Sequence, residues 1–438
     1  MPYSRAAKNR PALLTSNQGF FRGAGHWIKW LRLYSELSTG NPPPWTRHFV
    51  TPPAHISAAI ELIDRILAGE LADRALAGWG RKNRYAGAKD RAAIADLVFD
   101  VLRCKRSYAS LGGGGDGRAL LLGHLRGAGL EPEDFFGASQ YAPAALTDEE
   151  LSNGRRPEIE NGESADFPDW LWPDIQASLG EGAQEVASTM RSRAPVHLRV
   201  NLAKISVADA IKALSSEGIA VRPHSLSPSA VEVLEGARKI RNARAYLDGK
   251  VELQDAASQA VADIVPLKAG EKCLDFCAGG GGKTLALAGR VAGVFFAHDV
   301  NSNRMKDLPS RASRAGAAVS LLTSSQIAQE APFDAVLIDA PCSGSGSWRR
   351  DPQGKWLLTR EKLRDLVEIQ KDVLNETASF VKSSGHLVYA TCSLLECENN
   401  RQVQDFLRRN TEFSLVNQKS FTPLDGGDGF FCAVLRRN

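Results

Sequence analysis

Apolar residues recur at helical spacing in two stretches of the first third of the chain. Ile56, Ala59, Ile60, Ile63 and Leu67 form one stripe, and Ile94, Leu97, Val98, Val101 and Leu102 form another. Each is the buried face of an amphipathic helix, and together they predict a small all-α domain over residues 51–140. Gly112, Gly113, Gly114, Gly115 and Gly117 interrupt that domain and read as a loop. Residues 1–50 hold no sustained period and reach a break at Pro42-Pro43-Pro44, so they read as a poorly ordered extension that the fold does not need. Residues 141–165 carry Glu149, Glu150, Glu158, Glu160 and Glu163 and read as an acidic linker.

The period then changes. Val196-His197-Leu198-Arg199-Val200 alternates as a strand, 206–217 reads as a helix, and Ile219–Val221 and Val231–Val233 read as short strands. This predicts a small α/β, RRM-like subdomain over 166–250. Over 251–438 a helix is followed by repeated strand–loop–helix units, with strands at 272–276, 294–298, 318–322, 334–338 and 386–390. That order predicts a doubly wound, Rossmann-like parallel sheet.

With 438 residues there is room for several cores, and 43% hydrophobic with 24% charged residues is a globular rather than a disordered composition. A net charge of +4 permits a polyanionic partner without requiring one. Basic residues gather at Arg81, Lys82, Arg84, Lys89 and Arg91, at Arg103, Lys105 and Arg106, and at Arg349 and Arg350. On charge alone such runs favour a solvated face over a phosphate backbone. Seven scattered cysteines do not make a secreted disulfide framework, and neither a membrane-length apolar run nor a signal peptide stands out. A reducing cytoplasmic setting is expected, with thiols free for chemistry.

Four constellations carry that chemistry. Cys273-Leu274-Asp275-Phe276-Cys277-Ala278-Gly279-Gly280-Gly281-Gly282-Lys283-Thr284 runs from a strand through a glycine turn into a helix. Such a turn lets backbone approach a ligand, beside the free N–H groups of a helix start. The rival P-loop needs a glycine where Cys277 stands. Asp299 ends the next strand, about 20 residues on, where a carboxylate suits ribose hydroxyls. Alone it suits a helix N-cap equally. Asp339-Ala340-Pro341-Cys342-Ser343 and Ala390-Thr391-Cys392-Ser393 then deliver an acid and two cysteines to strand ends. In a doubly wound sheet these converge in one crevice. A zinc site of Cys273, Cys277, Cys342 and Cys392 lacks the paired C-x-x-C spacing.

With Arg199-Val200-Asn201 and Leu253-Gln254-Asp255, these motifs resemble in order and spacing the bacterial Sun family of RNA cytosine-5 methyltransferases. The whole chain resembles that family's small-subunit rRNA methyltransferase B branch, and its helical domain resembles that branch's NusB-like RNA-binding domain. The resemblance implies S-adenosylmethionine as cofactor and RNA as substrate, with no metal, no membrane and a monomer. It assigns Cys392 as nucleophile toward cytosine C6, Asp339 to the ring N3 and amine, and Cys342 to release of the product. Cofactor contacts fall on Cys277, Ala278, Gly279, Gly280, Gly281, Gly282, Lys283, Asp299, Arg304, Ser324, Asp339 and Pro341.

Two positions depart from the family. Gly279 and Gly280 replace an Ala-Pro pair, which predicts a more flexible loop. Thr323 and Ser324 stand where an aspartate contacts adenine, leaving a hydroxyl as a weaker acceptor. The rival function is a catalytically inactive RNA-binding assembly or antitermination factor.

Overall fold

The computed structural model describes residues 51–159 and 162–438; the extension expected over 1–50 lies outside them. The described chain divides into two units, meeting at Asp166–Phe167.

The first unit is helical: Pro52–Leu67, Ala72–Lys82, Ala88–Arg103, Lys105–Gly112, Gly117–Gly127 and the short Asp148–Ser152. Ile56, Ala59, Ile63, Ile94, Leu97, Val98, Val101 and Leu102 are buried, as their spacing requires. The glycine run is more than a loop. A Cβ on Gly112 would stand 1.8 Å from the Ala119 carbonyl oxygen, and one on Gly123 1.9 Å from that of Tyr108. These glycines let the helices Lys105–Gly112 and Gly117–Gly127 pack backbone to backbone.

The stretch expected as a linker is anchored to the same unit. Thr147 and Glu150 form a capping box at the Asp148–Ser152 helix. Glu150 pairs with Arg118, whose hydrogen bond holds its carboxyl down at about 2. Arg126 donates to the carbonyls of Leu111 (2.8 Å) and Asn153 (2.6 Å). Asp166 accepts from the amides of Arg106 and Ser107 at 3.0 and 2.9 Å. The acidic composition that suggests a solvated tether instead supplies acceptors.

The second unit holds two sheets. Strands β1 (Val196–Val200), β2 (Ala220–Pro223), β3 (Ala230–Glu235) and β4 (Val251–Leu253) form an antiparallel sheet in the order β2-β3-β1-β4. The helix Val207–Ser216 closes one core by burying Ala210 and Leu214 among Leu198, Val200, Val231 and Val251. Strand β4, expected to begin the C-terminal domain, pairs with β1 and completes this small sheet.

The larger sheet contains β5 (Lys272–Asp275), β6 (Val294–Ala297), β7 (Val319–Leu321), β8 (Phe333–Asp339), β9 (Val381–Thr391), β10 (Phe413–Phe421) and β11 (Phe430–Arg437). Their order is β10-β11-β9-β8-β5-β6-β7. The five strands expected from sequence are the parallel ones, and β10–β11 is an antiparallel hairpin added beside β9. From β5 the chain winds outward through β6 and β7, then crosses back to β8 and β9. That reversal opens a crevice beyond the carboxyl ends of β5 and β8, where such sheets bind ligands. Among the described residues no helix is long and apolar enough to cross a membrane.

Candidate active site

The glycine loop leaves β5 at Asp275 and turns into the helix Gly282–Arg290. Gly281 is left-handed at φ 75°, and a Cβ there would stand 2.2 Å from the Leu308 side chain. Only glycine fits. Three bonds tie the loop down: Ala278 N to the His298 carbonyl (2.9 Å), Gly281 N to the Ala278 carbonyl (2.8 Å) and Gly279 N to the Asp299 carboxylate (3.0 Å). The flexibility expected of Gly279-Gly280 is thus countered by anchors from β6.

Asp299 is buried, and both its oxygens are engaged. One accepts from Asn301 N, the other from Gly279 N and the Arg304 guanidinium, each at 3.0 Å. The cap of the following turn is Asn301, which accepts from Asn303 N, so Asp299 does not serve as the N-cap. Ser324 is exposed at the start of the helix Ser324–Glu330. His298 Nδ1 faces the Phe276 carbonyl (2.9 Å) and must donate; its Nε2 then accepts from Ser324 Oγ (3.0 Å) when the ring is neutral. The Ser324 oxygen keeps its lone pairs for a donor from solvent or ligand.

Asp275 accepts from Thr284 Oγ1 at 2.6 Å, while its second oxygen is buried without a partner. Burial pushes this carboxyl up to about 7. The exposed Ser324 hydroxyl beyond the fixed turn and the Asp299 carboxylate beside it suit a polar ligand.

At the end of β8, Asp339 Oδ2 meets Lys283 Nζ at 2.7 Å. Lys283 is buried, and burial alone would lower its pKa, yet Asp339 raises it on balance. Its ammonium also lies 4.9 Å from the centre of the Phe430 ring. Asp339 remains 35% exposed, so the pair faces the crevice from one side. Pro341 follows on the exposed turn that carries Cys342.

Cys342 and Cys392 arrive from β8 and β9, and their Sγ atoms lie 3.4 Å apart. Both are half-buried. Accepting a hydrogen bond from Cys342 lowers the Cys392 thiol below its ordinary value, helped by the Lys283 charge and a Ser347 bond against burial and Asp339. Cys342 is raised by donating to Cys392, then by burial, the Cys392 charge and Glu398. Of the pair, Cys392 is therefore the thiol that ionises first, and Cys342 the one that keeps its proton beside it. By contrast, burial alone accounts for most of the rise of Cys273, Cys277 and Cys432, the last to about 12. Burial thus disfavours the thiolate form of all three.

Two motifs that the sequence marks only as part of the resemblance acquire a role in the structure. Arg199 on β1 donates to the Gln254 side chain and to the Gly282 carbonyl (2.7 Å), fastening the small sheet to the glycine loop. Asn201 donates to the Ala315 carbonyl at 2.8 Å. The two motifs preceding the glycine loop thus act as its support, and position as well as identity could have flagged them. Arg349 and Arg350, expected among basic clusters, are structural: Arg349 is buried and donates to the Arg193 carbonyl (3.0 Å), and Arg350 pairs with Asp255 and Asp428 at 2.7 Å.

The matches to known proteins follow these divisions. Residues 262–436 match the model of the 16S rRNA methyltransferase RsmB/F family, and 167–241 match the RsmF/B-like ferredoxin-like domain. The ribosomal RNA small subunit methyltransferase B of Photorhabdus laumondii is 33% identical over 288 residues, covering 62% of this chain and 66% of that protein's length. Among solved structures, PH0851 superposes with a TM-score of 0.70 at 25% identity over 89% of this chain and 100% of the other. A methyltransferase homolog from Pyrococcus horikoshii gives 0.57 at 27% identity, over 64% and 98%. The two matches place residues 167–241 and 262–436 of this chain in the RsmB/F methyltransferase family.

Proposed function

We propose that this protein transfers a methyl group from S-adenosylmethionine to C5 of cytosine in RNA, with small-subunit rRNA as its substrate. The observation that carries the reading is the thiol pair beside the Lys283–Asp339 ion pair, at the strand ends where the sheet reverses. Cytosine C5 is a weak nucleophile. Addition of the Cys392 thiolate to C6 turns the ring into an enamine and makes C5 reactive. Asp339 accepts from the exocyclic amine and from N3 once protonated, stabilising charge as it develops. Lys283 fixes that carboxylate. Once Cys392 is bonded to C6 and carries no charge, Cys342 gives its own proton to solvent and its thiolate takes the C5 proton; the C5–H electrons restore the C5–C6 double bond as the C6–S bond breaks and the Cys392 thiolate leaves. The base must leave its stack to reach the crevice, so the target is single-stranded or flipped.

When bound, S-adenosylmethionine supplies an electrophilic methyl on a sulfonium. Cys277, Ala278 and Gly279–Gly282 would form its cradle, with Lys283, Asp339 and Pro341 bordering the methyl. Asp299 would hold the ribose hydroxyls with Arg304 displaced or sharing the carboxylate, and Ser324 would accept from the adenine amine. Asp299→Ala should weaken cofactor binding by about 1.5–3 kcal/mol, because the acceptor and the Gly279 anchor go together. Calorimetry with unchanged affinity would return Asp299 to a purely structural role.

The helical unit is the proposed NusB-like RNA-binding domain of a monomeric cytoplasmic enzyme. Arg81, Lys82, Arg84, Lys89 and Arg91 lie exposed around an exposed Tyr85, whereas Arg103 is buried against Asp100. The first cluster is therefore the proposed phosphate-facing surface. Changing Arg81, Lys82 and Arg84 together to Ala should flatten the salt dependence of RNA affinity by about 0.7 per lost single-strand phosphate contact. Methylation of a saturating short oligonucleotide should hold. An unaltered salt slope would remove this surface from the RNA path.

The rival is an inactive RNA-binding assembly factor. Transfer of radiolabelled methyl to total RNA, with bisulfite sequencing to locate the product, decides between them.

A further inference from the structure

Glu398 ends a single 3-10 turn after β9 and is fully buried. Its Oε1 accepts from Ser343 N (2.8 Å) and Gln370 Nε2 (3.0 Å). Its Oε2 accepts from the hydroxyls of Ser343 and Ser393. Ser343 follows Cys342 in the chain and Ser393 follows Cys392. One carboxylate therefore holds both cysteine-bearing turns, which are 50 residues apart in sequence. Tyr389 fixes the turn itself by donating to the Glu398 carbonyl at 2.7 Å. Among the described residues Glu398 has no ion-pair partner, and four neutral donors satisfy it.

We propose that Glu398 is the positioning residue of the thiol pair, the point to which the Cys342 and Cys392 turns are both fastened. A carboxylate stripped of water is unfavourable unless its lone pairs are filled, and these are filled by the two turns themselves. Losing either serine contact leaves the charge underbonded, so the clamp resists separation of the sulfurs. Its negative charge also disfavours a second anion at Cys342. The contact that lowers Cys392 is the one the clamp preserves. The mechanistic benefit rests on the methyl-transfer reading above, but the clamp can be tested without RNA or cofactor.

Two substitutions separate charge from tether. Glu398→Gln keeps the shape, since its amide can donate to the serine hydroxyls while its oxygen accepts from Ser343 N and Gln370. Glu398→Ala removes both. The probe is iodoacetamide, whose carbon is attacked by thiolate as iodide leaves, read cysteine by cysteine by mass spectrometry across pH. In the parent protein Cys392 should react and Cys342 should resist. In Glu398→Gln the pH at which Cys342 begins to react should fall. In Glu398→Ala that fall should be joined by a rise for Cys392, with Cys273 and Cys432 still protected. Profiles for Cys342 and Cys392 unchanged in both variants would overturn the proposal. So would simultaneous exposure of Cys273 and Cys432 in Glu398→Gln, which marks a general packing role. Normal alkylation profiles with no methyl transfer in the parent would instead count against the proposed function.

Discussion

Cys392→Ala is expected to lower methyl transfer by roughly 10⁴-fold or more, the scale of losing a covalent nucleophile, while S-adenosylmethionine binding stays nearly unchanged. In the proposed mechanism the thiol acts on the base, and the proposed cofactor cradle belongs to β5 and β6. Structural damage should be slight, because Cys392 is half-buried and its strand is held by β8 and β11 on either side. The parent enzyme supplies a second reading of the same group. Since the Cys392 thiol is lowered, its thiolate should persist at lower pH than that of an ordinary cysteine. The single-turnover rate should accordingly rise with pH along a limb centred lower than an ordinary cysteine would give and fall as protonation removes the nucleophile. Lys283→Met should move the limb upward, because the lysine charge is one of the influences holding Cys392 down. Turnover by the Ala variant at a normal rate, measured with radiolabelled cofactor, would exclude Cys392 as nucleophile.

What the sequence discloses about this site is what lies close together in the chain. A glycine turn following an apolar strand, or a cysteine following one, fixes both the element and the end of the sheet at which the side chain emerges. Asp339, Cys342 and Cys392 are legible for that reason. Glu398 is not. Its significance comes from Ser343, 55 residues away, and from Gln370 on the intervening helix. Phe430 is hidden similarly, since it reaches Lys283 only because β11 turns back beside β9. The hairpin itself escapes the strand pattern: β10 is almost wholly exposed and carries an irregularity between Leu415 and Asn417, so its sequence has no clean alternation. Residues 141–165 show the converse error. Acidic residues without a period look solvated, yet Glu150 and Glu163 are acceptors for Arg118 and Arg155. Composition reports polarity, and only the fold reports whether each charge has a partner.

Cys342→Ala is expected to produce the opposite chemical signature, a covalent RNA–protein adduct that outlasts denaturation. In this variant Cys392 keeps its place at the end of β9 and its Lys283 neighbour, so addition to C6 and methylation at C5 still proceed. What is lost is the group proposed to take the C5 proton, without which the C6–S bond would not break. Product should fall steeply while a shifted band, requiring both RNA and S-adenosylmethionine, accumulates on a denaturing gel. Loss of the Cys342 donor also raises the Cys392 thiol, so the adduct should form faster as pH increases. That slope separates the release role from mere support: if Cys342 only lowered the nucleophile, raising the pH would restore turnover instead of building adduct. A double Cys342→Ala, Cys392→Ala protein should form no band at any pH, because no sulfur remains to bond C6. A band in that double variant would place the nucleophile elsewhere, and absence of a band in Cys342→Ala at every pH would remove Cys342 from the release step.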